Sequence, residues 1–492
     1  MAIIHVYSNY CQLQDESDIG FLWALDKELS FDVQGAKYAA SYRGYYNKDG
    51  QFVKWDGKQR LLKKNLEFPF GLLERVERFY KKDNRPYQVI DCRDAKAPNQ
   101  SLDIISKLKS LGKDPYPYQL QAIDAVNQKD CGIIRLATGG GKTIVAALMT
   151  ANFGKKTIIY VIGKDLLYQI HNLFQSLFDQ KIGMIGDGVC DIQDINVASI
   201  WTVGQAVGLN KTGLVDESDD EKDIDPQRYQ DIREMMSTSK VHIFDECHVA
   251  ACKTIQEISQ NINPEHIYGM SASPWRDDGA DMLIECILGR TIVNVSASDL
   301  IQNGYLVQPI IKFLVVPKLE GLNKKTHYQT VYKKYIVENE VRNAQIIKGA
   351  EKLVEQGYQT LILYNSVAHG AALFQELSKR LPCALLSGKD NAEVRNAAKK
   401  DLEDGKISCI VASKIFDIGV DLPSLSGLVI ASSGKSSVRA LQRIGRVIRK
   451  YPGKKQSAII DFYDQAPFLK EHAIARRKIY SSEEKFQVIW PT

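Results

Sequence analysis

The sequence predicts an α/β protein with two tandem parallel-sheet lobes behind a small N-terminal α+β domain. Three observations carry this. Short β-rich apolar runs alternate with helical patterns over most of the chain, as in parallel sheets joined by crossover helices. The alternation occurs twice in succession. The first 105 residues do not share it.

In the first block the apolar runs lie at 133–136, 157–162, 196–198, 241–244 and 267–271. Each is short and bounded by turn or helix-start residues, as buried strands are. The second block repeats the theme at 311–316, 360–364, 409–412, 428–431 and 457–461. The change falls near 290–305, which gives domains at 1–105, 106–294 and 295–492. Residues 216–225 (DESDDEKDID) are dense in carboxylates without apolar periodicity, and read as a solvated loop before the 241–244 strand.

The N-terminal domain carries one helical stripe at Ile19, Leu22, Leu25 and Leu29 and another at Leu72, Val76, Phe79 and Tyr80. From 43 to 85 there are twelve Lys/Arg against six Asp/Glu, whereas 1–42 holds two against six. Tyr42, Tyr45, Tyr46, Phe52 and Trp55 are interleaved with that basic zone. Basic charge attracts a nucleic-acid backbone and aromatic faces stack on unpaired bases, so Trp55 and Lys58 are candidate contacts. A domain of this size must also bury several of its aromatic residues.

With 492 residues, 44% hydrophobic and 25% charged, the chain can fill three cores; its net charge of +5 permits nucleic-acid binding without demanding it. Nine cysteines are scattered without zinc-type pairing and read as reduced thiols. The start, MAIIHVYSNY, lacks the basic and long apolar regions of a secretory leader. No apolar stretch nears the length of a membrane span, so the expectation is a soluble cytoplasmic protein.

Five motifs then follow in fixed order. LATGGGKT (136–143) lies between a strand and a helix, the context of a phosphate-binding loop. Thr138, Gly139, Gly140 and Gly141 would form the cradle, in which successive backbone N–H groups converge on phosphate oxygens. Lys142 would reach the β- and γ-phosphates, and the Thr143 hydroxyl would bind Mg²⁺. DECH (245–248) ends the apolar run VHIF, which places Asp245 to hold Mg²⁺ and Glu246 to polarise the attacking water. Gln119, in PYPYQLQAI, can donate to and accept from an adenine edge, with Tyr116 or Tyr118 stacking on the base. SAS (271–273) follows. QRIGRVIR (442–449) puts Arg446 and Arg449 three residues apart, on one face of the expected helix, where either guanidinium could meet the charge of a transferring phosphoryl group. The set describes a motor that spends nucleoside triphosphate while gripping nucleic acid, with two domains facing across a cleft.

This ordered set resembles the superfamily 2 helicases, and the resemblance implies RecA-like lobes and ATP with Mg²⁺ as cofactors. YVIGKDLLYQ (160–169), VASIW (197–201), LYNSVAHG (363–370) and SKIFDIGVDLP (413–423) match the family's supporting motifs. By that resemblance Gly419 and Asp421 join the nucleotide site, and Lys164, Ser199, Asn365, Ser366, His369, Ser413 and Lys414 hold the strand by its phosphates. The runs IGMIGDGVCDIQDINVASIWTV (182–203) and IGRVIRK, with Trp55-Asp56-Gly57-Lys58, Arg60-Leu61-Leu62 and Pro69-Phe70-Gly71-Leu72, are similar to the UvsW/XPB-like branch. That similarity implies an ATP-dependent DNA helicase acting on branched or forked DNA in phage-type recombination, replication and repair, located in the host cytoplasm. Other readings stay open: a restriction-system motor, an ATP-switched nucleic-acid clamp that does not unwind, and an RNA helicase. No nuclease centre of clustered carboxylates accompanies the motor motifs.

Overall fold

The structure is a computed structural model. It describes residues 1–46, 51–209, 226–249, 253–273, 281–321, 323, 325–388, 390, 392–413, 422–434 and 436–491. The acidic loop at 216–225 and the candidates Lys414, Gly419 and Asp421 lie outside the described residues. The chain divides into two compact units, one of residues 1–135 with 141–294, the other of residues 136–140 with 295–492.

The first unit holds an eight-stranded sheet in the order Val189–Asp191, Gly183–Gly186, Ile195–Ser199, Thr157–Val161, Val241–Asp245, His266–Ser271, Cys131–Leu136, Thr291–Val295. From Gly183–Gly186 to Cys131–Leu136 the neighbours pair in parallel, so these strands end at one carboxyl edge. Its central strands are apolar on both faces. Thr157–Val161, Val241–Asp245 and His266–Ser271 are buried throughout, as a sheet covered by helices on two sides requires. Every expected strand of the block is present. The strands missed by the sequence reading, Gly183–Gly186, Val189–Asp191 and Thr291–Val295, lie at or near the two ends of the sheet, where burial demands less of the sequence.

The N-terminal segment belongs to this first unit. Its own sheet runs Glu67–Pro69, Tyr10–Gln14, Ala2–Val6, Tyr87–Asp91. Helices Ile19–Glu28 and Leu73–Lys82 cover it, with the Phe21 ring 4.6 Å from that of Tyr80. The first helix is turned from the expected stripe: Phe21, Leu25 and Leu29 are buried, whereas Ile19 is 82% exposed. Phe21 owes its place to the Phe79 and Tyr80 rings opposite. The segment is docked on the first lobe. A Cβ at Gly71 would collide with the Glu285 carbonyl oxygen, and Cys286 joins the N-terminal core. Arg75 pairs with Glu285 at 2.5 Å, Lys129 with Glu74 at 2.5 Å and Arg93 with Asp130 at 2.9 Å.

The second unit holds a seven-stranded parallel sheet in the order Cys383–Leu386, Cys409–Ala412, Thr360–Leu363, Gly427–Val429, Gln456–Asp464, Gln308–Val316, Gln487–Ile489. All five expected strands are there. Four carboxylate and guanidinium groups are buried beneath its helices. Arg342 donates to Asp464 at 2.9 Å and to the Ala431 carbonyl at 2.6 Å, and Arg476 grips both carboxylate oxygens of Asp461 at 2.8 Å. Among the described residues no helix is long and apolar enough to cross a membrane.

Candidate active site

The strands that end in the glycine loop, in DECH and in SAS sit at one edge of the first sheet, with His266–Ser271 between the other two. Open α/β folds bind ligands at that edge. Gly139 and Gly141 adopt φ of 90° and 75°, left-handed conformations that glycine takes without strain. Helix Lys142–Phe153 starts at once behind them. A Cβ at Gly141 would collide with the Gln119 side-chain amide, so the loop turns tightly against that residue. Gln119 is 2% exposed, and its Oε1 accepts from the Tyr116 N–H at 2.9 Å, closing the first turn of helix Pro117–Asn127. The Tyr116 and Tyr118 rings stack 5.7 Å apart beside it.

Lys142 and Glu246 meet in this edge, Nζ to Oε1 at 2.6 Å. Burial works to lower the lysine's pKa, and the Glu246 and Asp245 carboxylates outweigh it, so the ammonium is held. Burial also favours neutral carboxyls. Lys142 and His248 overcome this at Glu246, which stays below its ordinary range, whereas Asp245 is pushed up. Glu246 has φ 51°, an uncommon conformation for a side-chain-bearing residue and typical of functional positions. His248, which the sequence reading left without a role, ties two motifs together: its Nδ1 lies 3.4 Å from Glu246 Oε2 and 3.4 Å from the Ser271 hydroxyl. Its place as the fourth letter of DECH was the available signal. Ser271 Oγ in turn accepts from the Ser273 N–H at 3.1 Å.

The Thr138 hydroxyl is buried and makes no hydrogen bond in the structure. An orphaned hydroxyl in a loop of left-handed glycines fits a polyanionic phosphate chain. Thr143 and Asp245 are the oxygen donors that the motifs offer a divalent ion. No cluster of three His, Cys, Asp or Glu side chains that could hold a metal ion exists among the described residues. A magnesium ion needs none, because it takes one or two protein oxygens and completes its shell with phosphate and water.

The arginines of QRIGRVIR differ from expectation. Helix Ser437–Val447 includes Arg446 but stops before Arg449, which forms an isolated β-bridge with Leu306. The two therefore do not share a helical face. The backbone bond from the Val307 N–H to the Ile448 carbonyl, 2.9 Å, takes the place of a further helical turn. Within this second unit the loop residues 136–140 pack on the same segment. A Cβ at Gly445 would strike the Thr138 side chain, and one at Gly139 would lie 3.3 Å from Arg449 Cγ.

The strand-contact candidates are dispersed. Lys164 opens helix Lys164–Leu177 and pairs with Asp187 at 2.6 Å; Ser199 is the N-cap of helix Ile200–Ala206. Asn365 and Ser366 follow strand Thr360–Leu363, and Ser366 stands at the N-cap position of helix Val367–Leu377. Ser413 follows strand Cys409–Ala412 and is half-buried. Trp55 is half-buried and donates its indole N–H to the Lys58 carbonyl at 2.6 Å, while the Lys58 ammonium lies 3.5 Å from Asp32. His369 is a correction. It is fully buried, its Nε2 lies 2.8 Å from Asn343 Oδ1, and burial holds its pKa down to about 3. A neutral core histidine does not meet a phosphate.

Comparison with known proteins agrees with this geometry. Residues 112–276 match the family model described as type III restriction enzyme, res subunit, and residues 343–451 the helicase conserved C-terminal domain. Residues 3–90 match the model of the DNA helicase UvsW N-terminal region. The chain is 28% identical to the ATP-dependent DNA helicase uvsW of Enterobacteria phage T4, over 94% of each chain. It is 24% identical to the DNA 3'-5' translocase XPB2 of Sulfurisphaera tokodaii, over 73% of this chain and 83% of that one. The fold is shared with S. cerevisiae Dbp5 bound to RNA and ADP BeF3, at a TM-score of 0.55 and 13% identity, over 79% of this chain and 93% of the other. With a glycine cradle, a Lys142–Glu246 pair at the sheet edge, and both helicase lobes and the N-terminal region matched, the chain resembles the superfamily 2 helicases of the UvsW/XPB-like branch.

Proposed function

We propose that the chain is an ATP-dependent DNA helicase or translocase that unwinds or branch-migrates forks, Holliday junctions, D-loops or R-loops, inside the cell, in phage-type recombination, replication and repair. The observation that carries the motor is the convergence of Lys142, Asp245 and Glu246 at the edge where Gly139 and Gly141 turn. In this reading Thr138 and glycines 139–141 cradle the phosphates and Lys142 meets the β- and γ-oxygens. Thr143 and Asp245 hold Mg²⁺, which would supply Lewis-acid polarisation of the phosphoryl oxygens. Glu246, held ionised by Lys142 and His248, accepts the proton of the attacking water. His248 connects that event to Ser271. Arg446 and Arg449 stabilise charge on the transferring group, and Gly419 and Asp421 of the sequence motif complete the nucleotide site.

The choice of branched DNA is supported by the N-terminal match over 3–90 and by similarity over 94% of the phage T4 helicase uvsW. A restriction-system motor would share only the lobes. Lys164, Ser199, Asn365, Ser366, Ser413 and Lys414 hold the strand, and Trp55 and Lys58 lie on a second surface. A strand-displacement assay on a fork, a Holliday junction, a linear duplex and an RNA duplex tests the proposal. ATP-dependent displacement favouring the branched DNAs is expected. DNA-stimulated hydrolysis with no displacement of any substrate would make the protein a clamp, and preference for RNA duplex would remove DNA as the substrate.

A further inference from the structure

Above the carboxyl edge of the second sheet lies a cavity of about 410 Å³. That is within the range of about 300–1,000 Å³ found for small-molecule sites. Asn365 follows strand Thr360–Leu363, Ser433 follows Gly427–Val429, Arg443 comes from helix Ser437–Val447 and Arg476 from helix Leu469–Tyr480. The described lining contains no carboxylate. One side is polar. The Ser433 hydroxyl is in a residue only 6% exposed and makes no hydrogen bond in the structure. Asn365 Nδ2 approaches the Ser433 carbonyl at 3.4 Å, and Arg443 donates to the Ser432 hydroxyl at 3.2 Å. Arg476 is held by Asp461 behind it and donates to the Gly434 carbonyl at 2.8 Å.

The other side is aromatic and partly open. The rings of Tyr328 and Phe468 meet edge to face with centroids 5.9 Å apart and are 37% and 36% exposed. Phe468 has φ 65° and ψ −43°, a conformation that a bulky residue adopts only where its surroundings impose it. The fold thus holds a strained backbone while presenting a ring to the cavity. Anion-attracting donors on one wall and ring faces on the other are what a nucleotide needs, phosphate on one side and base on the other.

We propose that this cavity takes one nucleotide of a bound DNA single strand, its phosphate against Ser433, Asn365 and Arg443 and its base unstacked onto Tyr328 and Phe468. The inference rests on the DNA-motor reading, in which Asn365 touches the strand. It adds a base-holding site in the second lobe, which gives the motor a grip on the base as well as on the backbone.

The test uses the full chain and single-stranded oligodeoxynucleotides with one 2-aminopurine walked along the sequence. One position should change its fluorescence on binding. Tyr328→Ala should remove that change and raise the Kd for the strand about tenfold, since a base stacked on a ring is sequence-tolerant but energetically substantial. Ser433→Ala, which keeps the cavity's shape, should raise Kd less and leave the fluorescent position where it is. Where Tyr328→Ala lowers the melting temperature, Tyr328→Leu is read instead. Unchanged Kd and fluorescence in a variant that melts like the parent would overturn the cavity's role while leaving the motor reading intact. Displacement of the signal by free dAMP at concentrations below those of competing strand would make it a free-nucleotide site and also overturn the proposal. A parent chain with no affinity for any DNA would overturn both readings together.

Discussion

Lys142 Nζ lies 2.6 Å from Glu246 Oε1, so the two residues expected to handle the triphosphate hold one another. On the proposed reading, a γ-phosphate entering the cradle would compete with Glu246 for this ammonium. Lys142→Ala should therefore abolish ATP hydrolysis while the fold persists, because it removes the cation that meets the phosphates. Glu246→Gln should stop turnover yet bind ATP at least as tightly as the parent, since Lys142 no longer has a carboxylate to leave. Isothermal titration with ATP alongside a phosphate-release assay checks both. Weaker ATP binding in Glu246→Gln would mean that Glu246 builds the pocket and does not act on water.

Arg446→Ala and Arg449→Ala should each lower kcat far more than they raise the Kd for ATP. A guanidinium that meets charge developing on the phosphoryl group is worth on the order of a thousandfold or more in rate. The Arg449 stem lies against Gly139, so Arg449→Ala should also lower the melting temperature. Normal kcat in both would remove the arginines from the reaction.

The extent to which the site could be read from sequence follows from how local its determinants are. Glycines 139–141 and the DECH carboxylates act through backbone conformation and strand ends within a few residues, and both stand where the spacing placed them. Arg449 was misplaced because helical periodicity was extended through it, while a backbone bridge to Leu306, far away in sequence, ends the helix at Val447. His369 looked like a strand contact because its neighbours match a motif. Asn343, on a different helix, meets its Nε2, and the ring is buried in the core. Ile19 fitted the apolar stripe as well as Phe21 did, and only the rings of Phe79 and Tyr80 decide between them. The cavity beside Asn365 was invisible for the same reason, since its walls come from four separate stretches of chain.

Acid should weaken the fold through its buried histidines. Burial holds His242 and His266 down to about 4 and His369 to about 3, against an ordinary 6.5. The folded chain keeps these rings neutral while the unfolded chain protonates them below 6.5, so stability is full above that pH and falls as pH drops toward the folded values. Each ring contributes about 1.4 kcal/mol per pH unit across that window. Melting temperature should fall from pH 7 to pH 5, and His369→Gln, whose amide can still reach Asn343, should flatten the fall. An identical slope in that variant would show that the histidine is not buried neutral.

The N-terminal segment should set preference among DNA shapes through its surface and support the first lobe through its interior. Removing residues 1–105 tests both at once, since it would strip Arg75 and Arg93 from Glu285 and Asp130 and uncover the wall that Gly71 packs on. Surface substitutions separate the two roles. Tyr46 and Phe52 are 73% and 56% exposed, with rings 5.4 Å apart, and they stand in the basic zone at 43–85. Tyr46→Ser with Phe52→Ser should leave the melting temperature within a degree or so, because solvent-exposed groups contribute little to stability. The same variant should lose affinity for forks relative to linear duplex, through lost stacking on unpaired bases at the junction. Lys58→Ala should instead lower affinity for all DNAs alike and reduce the slope of log Kd against log salt by about one, as expected for one phosphate contact. Fork-to-duplex selectivity and salt slope matching the parent in these variants would assign junction recognition to the two lobes. The N-terminal segment would then be a brace on the first lobe, held by Gly71 and the Arg75–Glu285 pair.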